Sequence, residues 1–136
     1  MIKVLNILNY NLSEDYVNKL NNIINEDYSI THLKDINHKL YDKISDFCVY
    51  REHFSDTKEF KNTVEKLIDI SNNFDYCIIF NNLSLILHIL QLSDFNIFRC
   101  EYLVPCFNQH IIEEKQQPDG SILQKSIIKH RYWITI

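Results

Sequence analysis

The stretch DYCIIFNNLS, residues 75–84, decides the fold that this sequence predicts. It begins with a short apolar run bounded by polar residues, which is typical of a strand buried on both faces of a sheet. The polar NNLS then leads into the apolar and helical LILHILQL of residues 85–92. A buried strand that passes through a short polar loop into a helix is the repeating unit of a parallel α/β sheet.

The same alternation of strand and helix extends over most of the chain. Apolar runs predict the strands, and apolar residues spaced for one helical face predict the helices. In chain order we expect a strand over 2–8, a helix capped by Ser13, a strand over 28–33, a short helix and a loop within 37–54, a helix with an inward stripe from Phe60 to Ser71, and a last core strand near 101–107. This order predicts a mainly parallel sheet flanked by helices.

The only glycine of the chain, Gly120, lies in the turn sequence QQPDG. Proline fixes φ in such a turn, and glycine takes the left-handed conformation. The segments on either side, 107–115 and 121–136, are strand-like, and they predict a C-terminal antiparallel β-hairpin. The predicted organisation is a single domain, residues 1–136, in which an α/β core of residues 1–106 carries a terminal hairpin of residues 107–136.

Composition narrows the classes of function. A length of 136 residues fits one domain, and a hydrophobic fraction of 46% is enough for a core. The formal net charge of −4 argues against a partner as large as duplex DNA, because proteins that bind it broadly are usually basic. No apolar run reaches the length of a membrane span and the start MIKVLNIL does not resemble a signal peptide, so we expect no membrane partner and a cytoplasmic location.

The cysteines, Cys48, Cys77, Cys100 and Cys106, form no C-x-x-C pair and predict reduced thiols. A zinc site built from Cys100, Cys106, His110 and a fourth ligand is an alternative, but structural zinc sites use closely paired ligands. The sequence also has no glycine-rich nucleotide fingerprint and no Walker loop. We therefore expect no metal and no cofactor.

The NNLS loop and the predicted hairpin carry the candidate binding residues. Open α/β sheets bind ligands at the carboxyl ends of their strands, and helix N-termini favour phosphate, so Asn81, Asn82 and Ser84 are candidates. The alternative interpretation of the NNLS loop is that it only caps the following helix and binds no ligand. In a regular strand counted from Ser121, one face carries three cations, which bind phosphate oxygens, and an indole, which stacks on bases. These residues are Lys125, Lys129, Arg131 and Trp133.

Two histidines of the predicted hairpin, His110 and His130, are candidates for proton transfer, because histidine titrates near neutral pH. The alternative for the whole hairpin is a solvated basic edge whose charges discourage aggregation. The apolar LILHILQL and the hairpin together offer more apolar surface than a small sheet covers, so we expect at least a dimer.

The tail VPCFNQHIIEEKQQPDGSILQKSIIKHRYW, residues 104–133, resembles the end of small CRISPR-associated proteins that accompany type III systems. The shared pattern is a strand that begins with proline, followed by glutamate, a D-G turn, lysine and a near-terminal K-H. Here these are Pro105, Glu113 or Glu114, Asp119-Gly120, Lys125 and Lys129-His130. The opening VLNILNYNLSEDYVNKL resembles the first strand, polar loop and helix start of the same family, with Asn9 and Asn11 in the loop.

The resemblance implies a Rossmann-like fold related to CARF domains, a homodimer, and a cyclic oligoadenylate ligand, cyclic tetra-adenylate first among them. Some members are ring nucleases of antiviral defence, in which the ribose 2′-OH attacks the phosphodiester without a metal and leaves a 2′,3′-cyclic phosphate. The implied catalytic residues are His110 or His130 as acid/base, with Lys129 or Arg131 stabilising charge. The implied ligand-binding residues are Asn9, Asn11, Asn81, Asn82, Ser84, Asn108, Gln109, Lys125 and Trp133.

Three functions remain open from the sequence. The family's glycine-containing loop is replaced here by Asn81–Ser84, and His110 stands near the place of an expected arginine. Binding tolerates such changes more easily than catalysis does. The chain is therefore interpreted as a ring nuclease, as a protein that sequesters the messenger without cleaving it, or as an unrelated α/β interaction module.

Overall fold

Strands and helices alternate along the chain in the computed structural model. The structure describes residues 1–48, 57–93 and 100–135. Within these ranges it describes the backbone alone at residues 57, 93, 106–113, 115 and 123–135. The strands are β1 Ile2–Asn6, β2 Tyr28–His32, β3 Tyr76–Ile78, β4 Glu101–Gln116 and β5 Ile122–Thr135. The helices are α1 Glu14–Ile23, α2 Leu33–Ile36, α3 His38–Cys48, α4 Thr57–Ser71 and α5 Leu83–Ser93.

The strands form one sheet in the order β2-β1-β3-β4-β5, in which the first four are parallel. Crossovers between parallel strands are right-handed as a rule, and the chain moves in opposite directions across the sheet before and after β2. We therefore expect α1 on one face of the sheet and α4 and α5 on the other. The predicted α/β fold with a mainly parallel sheet flanked by helices is confirmed.

The core forms where the sequence is most apolar. Residues of β1 and β3 such as Leu5 and Ile78 are fully buried. On α4 the predicted stripe of Phe60, Val64, Leu67, Ile68 and Ser71 is buried, as expected from its helical spacing.

An aromatic contact joins two helices, and a polar contact joins a helix to the sheet. Phe60 packs against Phe47 of α3, with ring centroids 4.5 Å apart. The Tyr102 hydroxyl of β4 lies 2.5 Å from the Ser71 hydroxyl, which donates in turn to the Ile68 carbonyl, so this polar pair is satisfied inside the core.

Strand boundaries differ from the expectation: β1 ends at Asn6 instead of residue 8, and β4 continues to Gln116 instead of ending near residue 107. The alternating strand over 28–33 ends at His32, because Leu33 begins α2 and is buried as a helical residue. The ambiguous region from residue 37 begins as α3, with Asn37 accepting a hydrogen bond from the Leu40 amide at 3.1 Å. Residues 49–54 of that region lie outside the described part of the chain.

The last two strands are long and pair antiparallel, with Gln116 opposite Ile122 next to the turn. Strand β4 continues from its parallel pairing with β3 into this pairing without a break. The register shifts between Cys106 and Phe107 and again between Phe107 and Gln109. Since a bulge breaks the two-residue repeat of a strand, the face assignments of Arg131 and Trp133 no longer follow from counting alternate residues from Ser121.

The turn at Gly120 has the chemistry that the sequence predicts. The Gly120 amide donates to the Gln117 carbonyl at 3.0 Å, and Gly120 has φ +88°. The Asp119 carboxylate accepts hydrogen bonds from the amide and the hydroxyl of Ser121, which lower its pKa. The prediction that the lone glycine takes the left-handed conformation is confirmed.

Replacing Gly120 should reveal a purely conformational effect, since a Cβ at this position would meet no atom within 4 Å. We expect Gly120→Val to lose about 1–2 kcal/mol of unfolding free energy and to weaken ligand binding through the hairpin register, because β-branched residues resist positive φ. Gly120→Asn should lose much less, because asparagine tolerates this conformation. Urea unfolding of both variants measures the difference, and equal losses would contradict this explanation.

Candidate functional site

The carboxyl edge of the sheet has a switch point between β1 and β3. These strands are adjacent and parallel, with Asn6 in register with Ile78. After β1 the chain turns through residues 7–13 into α1 and toward β2, whereas after β3 it turns through residues 79–82 into α5 and toward β4. Loops that diverge in this way leave a crevice above the strand ends, which is where open α/β sheets bind ligands.

The loop after β1 is polar and largely exposed. It contains Asn9 and Asn11, both exposed, so the sequence-predicted pair lies at the carboxyl edge. Ser13 ends the loop as the N-cap of α1, and its hydroxyl accepts from the Tyr16 amide at 3.4 Å. The predicted cap is confirmed.

The loop after β3 combines a helix cap with exposed polar side chains. The Asn82 side-chain oxygen accepts a hydrogen bond from the Leu85 amide at 3.0 Å. Asn82 therefore caps α5, as the alternative interpretation of this loop as an ordinary helix cap predicts. Asn81 and Ser84 are exposed beside it. The three predicted residues of this loop therefore share the helix N-terminus next to the switch point, where amide and hydroxyl donors suit a phosphate.

Charge is distributed unevenly between the two edges of the sheet. At the amino edge, Glu26, Asp27, Asp75 and Glu101 precede or begin three of the strands. At the carboxyl edge, the two switch-point loops of residues 7–13 and 79–82 contain no charged residue, whereas α2 after β2 contains Lys34 and Asp35. An anionic ligand is therefore favoured at the carboxyl edge by comparison with the amino edge.

The two helices that follow the switch-point strands, α1 and α5, differ in the same respect. Helix α1 has Glu14 and Asp15 in its first turn, whereas α5 has no acidic residue there. Carboxylates in the first turn already compensate the helix dipole. Of these two helix N-termini, that of α5 is consequently the better place for a phosphate.

A cleft of about 710 Å³ opens at the opposite, amino edge of the sheet. Its lining includes Glu26, Asp27 and Tyr28, and the Tyr28 hydroxyl donates to the Asn21 side chain at 2.6 Å. Burial and then the charges of Glu101, Asp75 and Glu26 raise the pKa of the nearby Tyr76. This acidic cleft does not suit an anion, and we do not place the site there.

Sequence reasoning missed Asn6, the last residue of β1. Asn6 is fully buried, and its side-chain oxygen accepts from the Leu8 amide at 2.9 Å. Its amide nitrogen Nδ2 has no hydrogen-bond partner among the residues that the structure describes. The available signal was a polar residue inside the apolar run IKVLNIL, directly before a polar loop.

Sequence reasoning also missed Tyr10, a residue that is 41% exposed in the loop after β1. The ring packs edge-on against Tyr16 of α1, with centroids 6.2 Å apart and planes at 72°. Burial raises the pKa of Tyr16 well above its ordinary value, and the hydrogen bond with Tyr10 raises it further. The pair is thus neutral at physiological pH, and Tyr10 presents an aromatic surface on which a base can stack.

The predicted residues of the hairpin are placed by their backbone alone, because their side chains lie outside the described ones. Strands β4 and β5 pair residue by residue around these positions. The partners are Gln109 with Lys129, His110 with Ile128, Phe107 with His130, Pro105 with Trp133 and Glu113 with Lys125, while Asn108 and Arg131 lie at the register shifts. The pairing thus brings His110 and His130 into one short segment of the hairpin.

The described thiols are not nucleophiles. Cys77 and Cys100 are buried, and burial raises the pKa of Cys77 well above its usual range and that of Cys100 to about 12. Thiols with such pKa values stay protonated and weakly reactive. Among the described side chains, no three histidine, cysteine, aspartate or glutamate residues are grouped to hold a metal ion.

Comparison of the chain with protein-family models, with curated proteins and with solved structures gives no match. None of the helices in the described ranges is long and apolar enough to cross a membrane.

Proposed function

We propose that this chain is a Rossmann-like, CARF-like domain with a terminal hairpin, and that it binds cyclic oligoadenylate, cyclic tetra-adenylate first among these rings. One observation carries the proposal. Two uncharged loops with amide side chains flank the switch point between β1 and β3, at the opposite end of the sheet from Glu26, Asp27, Asp75 and Glu101. A ring of nucleotides needs this combination, since its phosphates are anionic and its bases accept hydrogen bonds.

Different groups at the carboxyl edge and in the hairpin suit different parts of such a ligand. A phosphate fits the N-terminus of α5, where backbone amides point outward and Asn81 and Ser84 are exposed. Asn9 and Asn11 offer hydrogen bonds to base edges from the other loop. Cations of the hairpin, Lys125, Lys129 and Arg131, would neutralise the remaining phosphates, with Asn108, Gln109 and Trp133 beside them.

Cleavage, in this proposal, is transfer of the phosphoryl group to the neighbouring ribose oxygen. A histidine base, His110 or His130, takes the proton of the 2′-OH while the 2′-oxygen attacks the adjacent phosphorus. The bond from phosphorus to the 5′-oxygen breaks, the 5′-oxygen receives a proton, and a 2′,3′-cyclic phosphate remains. Lys129 or Arg131 would stabilise the charge on the phosphorane oxygens.

A second candidate function is sequestration of the ring without cleavage. The described polar side chains of both carboxyl-edge loops are amides and hydroxyls, which bind a nucleotide but do not exchange protons near neutral pH. If the hairpin histidines do not reach the 2′-OH, the same edge lowers the free messenger by binding alone.

Incubation with cyclic tetra-adenylate and cyclic hexa-adenylate in EDTA tests the proposal. A linear product with a 2′,3′-cyclic phosphate supports the nuclease, and a bound complex without product supports sequestration. Restoration of cleavage only by a divalent ion would contradict the metal-independent mechanism. If neither ring is bound nor cleaved, the proposal is overturned and the chain is an interaction module of another kind.

Adding one negative charge at the cap of α5 should weaken binding without affecting the fold. We expect Asn82→Asp to reduce the affinity for the ring by roughly tenfold to a hundredfold, because the carboxylate repels the phosphate near the helix N-terminus. The fold should stay intact, because aspartate caps a helix as well as asparagine does. Isothermal titration at low and high salt measures the effect, which should shrink as salt screens the charge.

Asn37→Asp provides the matched control. Asn37 is half-buried like Asn82, and its side-chain oxygen accepts from the amide three residues on in the same way, at 3.1 Å. The substitution adds the same charge to the cap of α3, which follows β2 and α2 and not the switch-point strands β1 and β3. Equal loss of affinity in both variants would mean that net charge, and not the position at α5, controls binding.

A further inference from the structure

A buried hydrogen-bond donor without a partner lies at the carboxyl end of β1. Asn6 is fully buried, and its side-chain oxygen accepts from the Leu8 amide at 2.9 Å, which fixes which way the side-chain amide is turned. Its Nδ2 has no partner within the described part of the chain. A buried donor of this kind destabilises the folded state and requires an explanation, and an acceptor that arrives with a ligand supplies one.

His32 lies directly beside Asn6. The two residues are in register on the neighbouring parallel strands β1 and β2, so their side chains leave the same face of the sheet. Helix α1 covers this face, since Tyr28, four residues before His32 on β2, donates its hydroxyl hydrogen to Asn21 of α1. His32 is half-buried, and its side chain makes no capping hydrogen bond to α2. A fixed donor thus lies next to an imidazole that can accept.

The surroundings of this pair suit a base better than a phosphate. Tyr10, in the loop between β1 and α1, packs edge-on against Tyr16 of α1 and leaves part of its ring exposed. Glu14 and Asp15 belong to the first turn of the same helix. These carboxylates disfavour an anion, whereas an uncharged base with an exocyclic amine fits both the charge and the aromatic surface.

We propose that Asn6 and His32 recognise the Watson–Crick edge of one adenine of the bound ring. Asn6 Nδ2 donates to N1 of the base, His32 accepts from the exocyclic amine, and Tyr10 stacks on the base. Because Asn6 is fully buried, the base enters only when the loop after β1 moves aside. The inference deepens the proposed function and rests on it for the choice of adenine, since cytosine presents the same acceptor beside an amine.

Two analogues of the ring test the contact with N1. A CH group replaces N1 of each adenine in the 1-deaza ring and N7, on the other edge, in the 7-deaza ring. Both are compared with the adenylate ring by isothermal titration of the full chain, all as 2′-deoxy rings so that none is cleaved. The 1-deaza ring should bind roughly tenfold or more weakly, because Nδ2 is left without an acceptor, and the 7-deaza ring should bind like the adenylate ring.

Substitutions test the two side chains. Asn6→Leu removes the donor, so it should bind the adenylate and 1-deaza rings with the same low affinity. His32→Phe keeps a ring of similar size and removes only the acceptor, so it tests the pair even if Asn6→Leu does not fold. It should bind the adenylate ring roughly tenfold more weakly than the wild type does. His38→Phe is the matched control, since the His38 side chain is 71% exposed on α3, and it should bind like the wild type.

The outcomes separate this inference from the proposed function. Equal affinity of the wild type for the adenylate and 1-deaza rings would overturn the contact with N1 while the proposed function stands, because the ring is still bound. An equal loss with the 7-deaza ring, or wild-type affinity of His32→Phe, would also overturn recognition of this edge by the pair. If the wild type does not bind the adenylate ring at all, the proposed function fails and the inference fails with it.

Discussion

Asn6→Asp should leave the protein folded in mild acid and largely unfold it at neutral pH. Asn6 is fully buried at the end of β1, and its single side-chain oxygen accepts a hydrogen bond from the Leu8 amide. Aspartate has nearly the same shape, so a neutral carboxyl keeps this hydrogen bond. An ionised carboxylate at this position instead loses its hydration, which is costly in the protein interior.

The direction of the pH dependence follows from the pKa of the new carboxyl. Burial raises the pKa of a carboxyl in the folded state, by as much as about 3 to 5 units when the group is fully buried, above an unfolded value of about 3.9. The variant therefore loses stability as pH rises above the unfolded value, and the loss levels off above the folded one. At about 1.4 kcal/mol per unit the loss reaches about 4–7 kcal/mol, which is comparable to the whole stability of a small domain.

Urea unfolding of Asn6→Asp and wild type between about pH 4 and pH 8 measures this difference. Asn37→Asp and Asn82→Asp are suitable controls, because both introduce aspartate at helix caps where the charge is favourable. A variant that is as stable as the wild type at neutral pH would show that the Asn6 side chain reaches water or a cation.

The parallel core could be predicted because local pattern and burial agree there. The apolar runs around Leu5 and Ile78 are long enough for strands, and the stripe of α4 repeats with helical spacing. The boundary at Leu33 could not be predicted, because an apolar residue fits the end of a strand and the start of a helix equally well. The sequence predicted a strand near 101–107 and a strand-like segment over 107–115, but not that they form the single strand β4, which pairs with β3 and then, with register shifts, with β5.

The sequence predicted those residues of the candidate site that directly follow a buried strand. Asn81 and Asn82 follow a buried strand, and the carboxyl end of a parallel strand is a known place for a ligand. Asn6 was missed because an isolated polar residue in an apolar run gives no sign of whether its hydrogen bonds are satisfied. The sequence indicated that LILHILQL offers more apolar surface than the sheet covers, but not that Leu83 and Leu87 are the exposed residues, because α5 is apolar on all sides.

Cleavage of cyclic tetra-adenylate should slow by about a hundredfold or more in at least one of the variants His110→Ala and His130→Ala. Removing an acid or base raises the barrier of the chemical step, while the contacts that hold the phosphates remain. Single-turnover cleavage with enzyme in excess measures the rate. Affinity is measured with the 2′-deoxy ring, which lacks the attacking hydroxyl and should bind without being cleaved.

His38→Ala is the control for loss of a histidine as such, because the His38 side chain is 71% exposed on α3 and lies 3.2 Å from Asp42. It should cleave and bind like the wild type. Lys129→Ala should differ from the hairpin histidine variants in affinity, with weaker binding that depends on salt, because its proposed contact is with phosphate. If both hairpin histidine variants cleave at the wild-type rate, the acid/base assignment is wrong. If the 2′-deoxy ring is cleaved as well, the attacking group is not the ribose hydroxyl, and the mechanism fails even though the carboxyl edge still binds the ring.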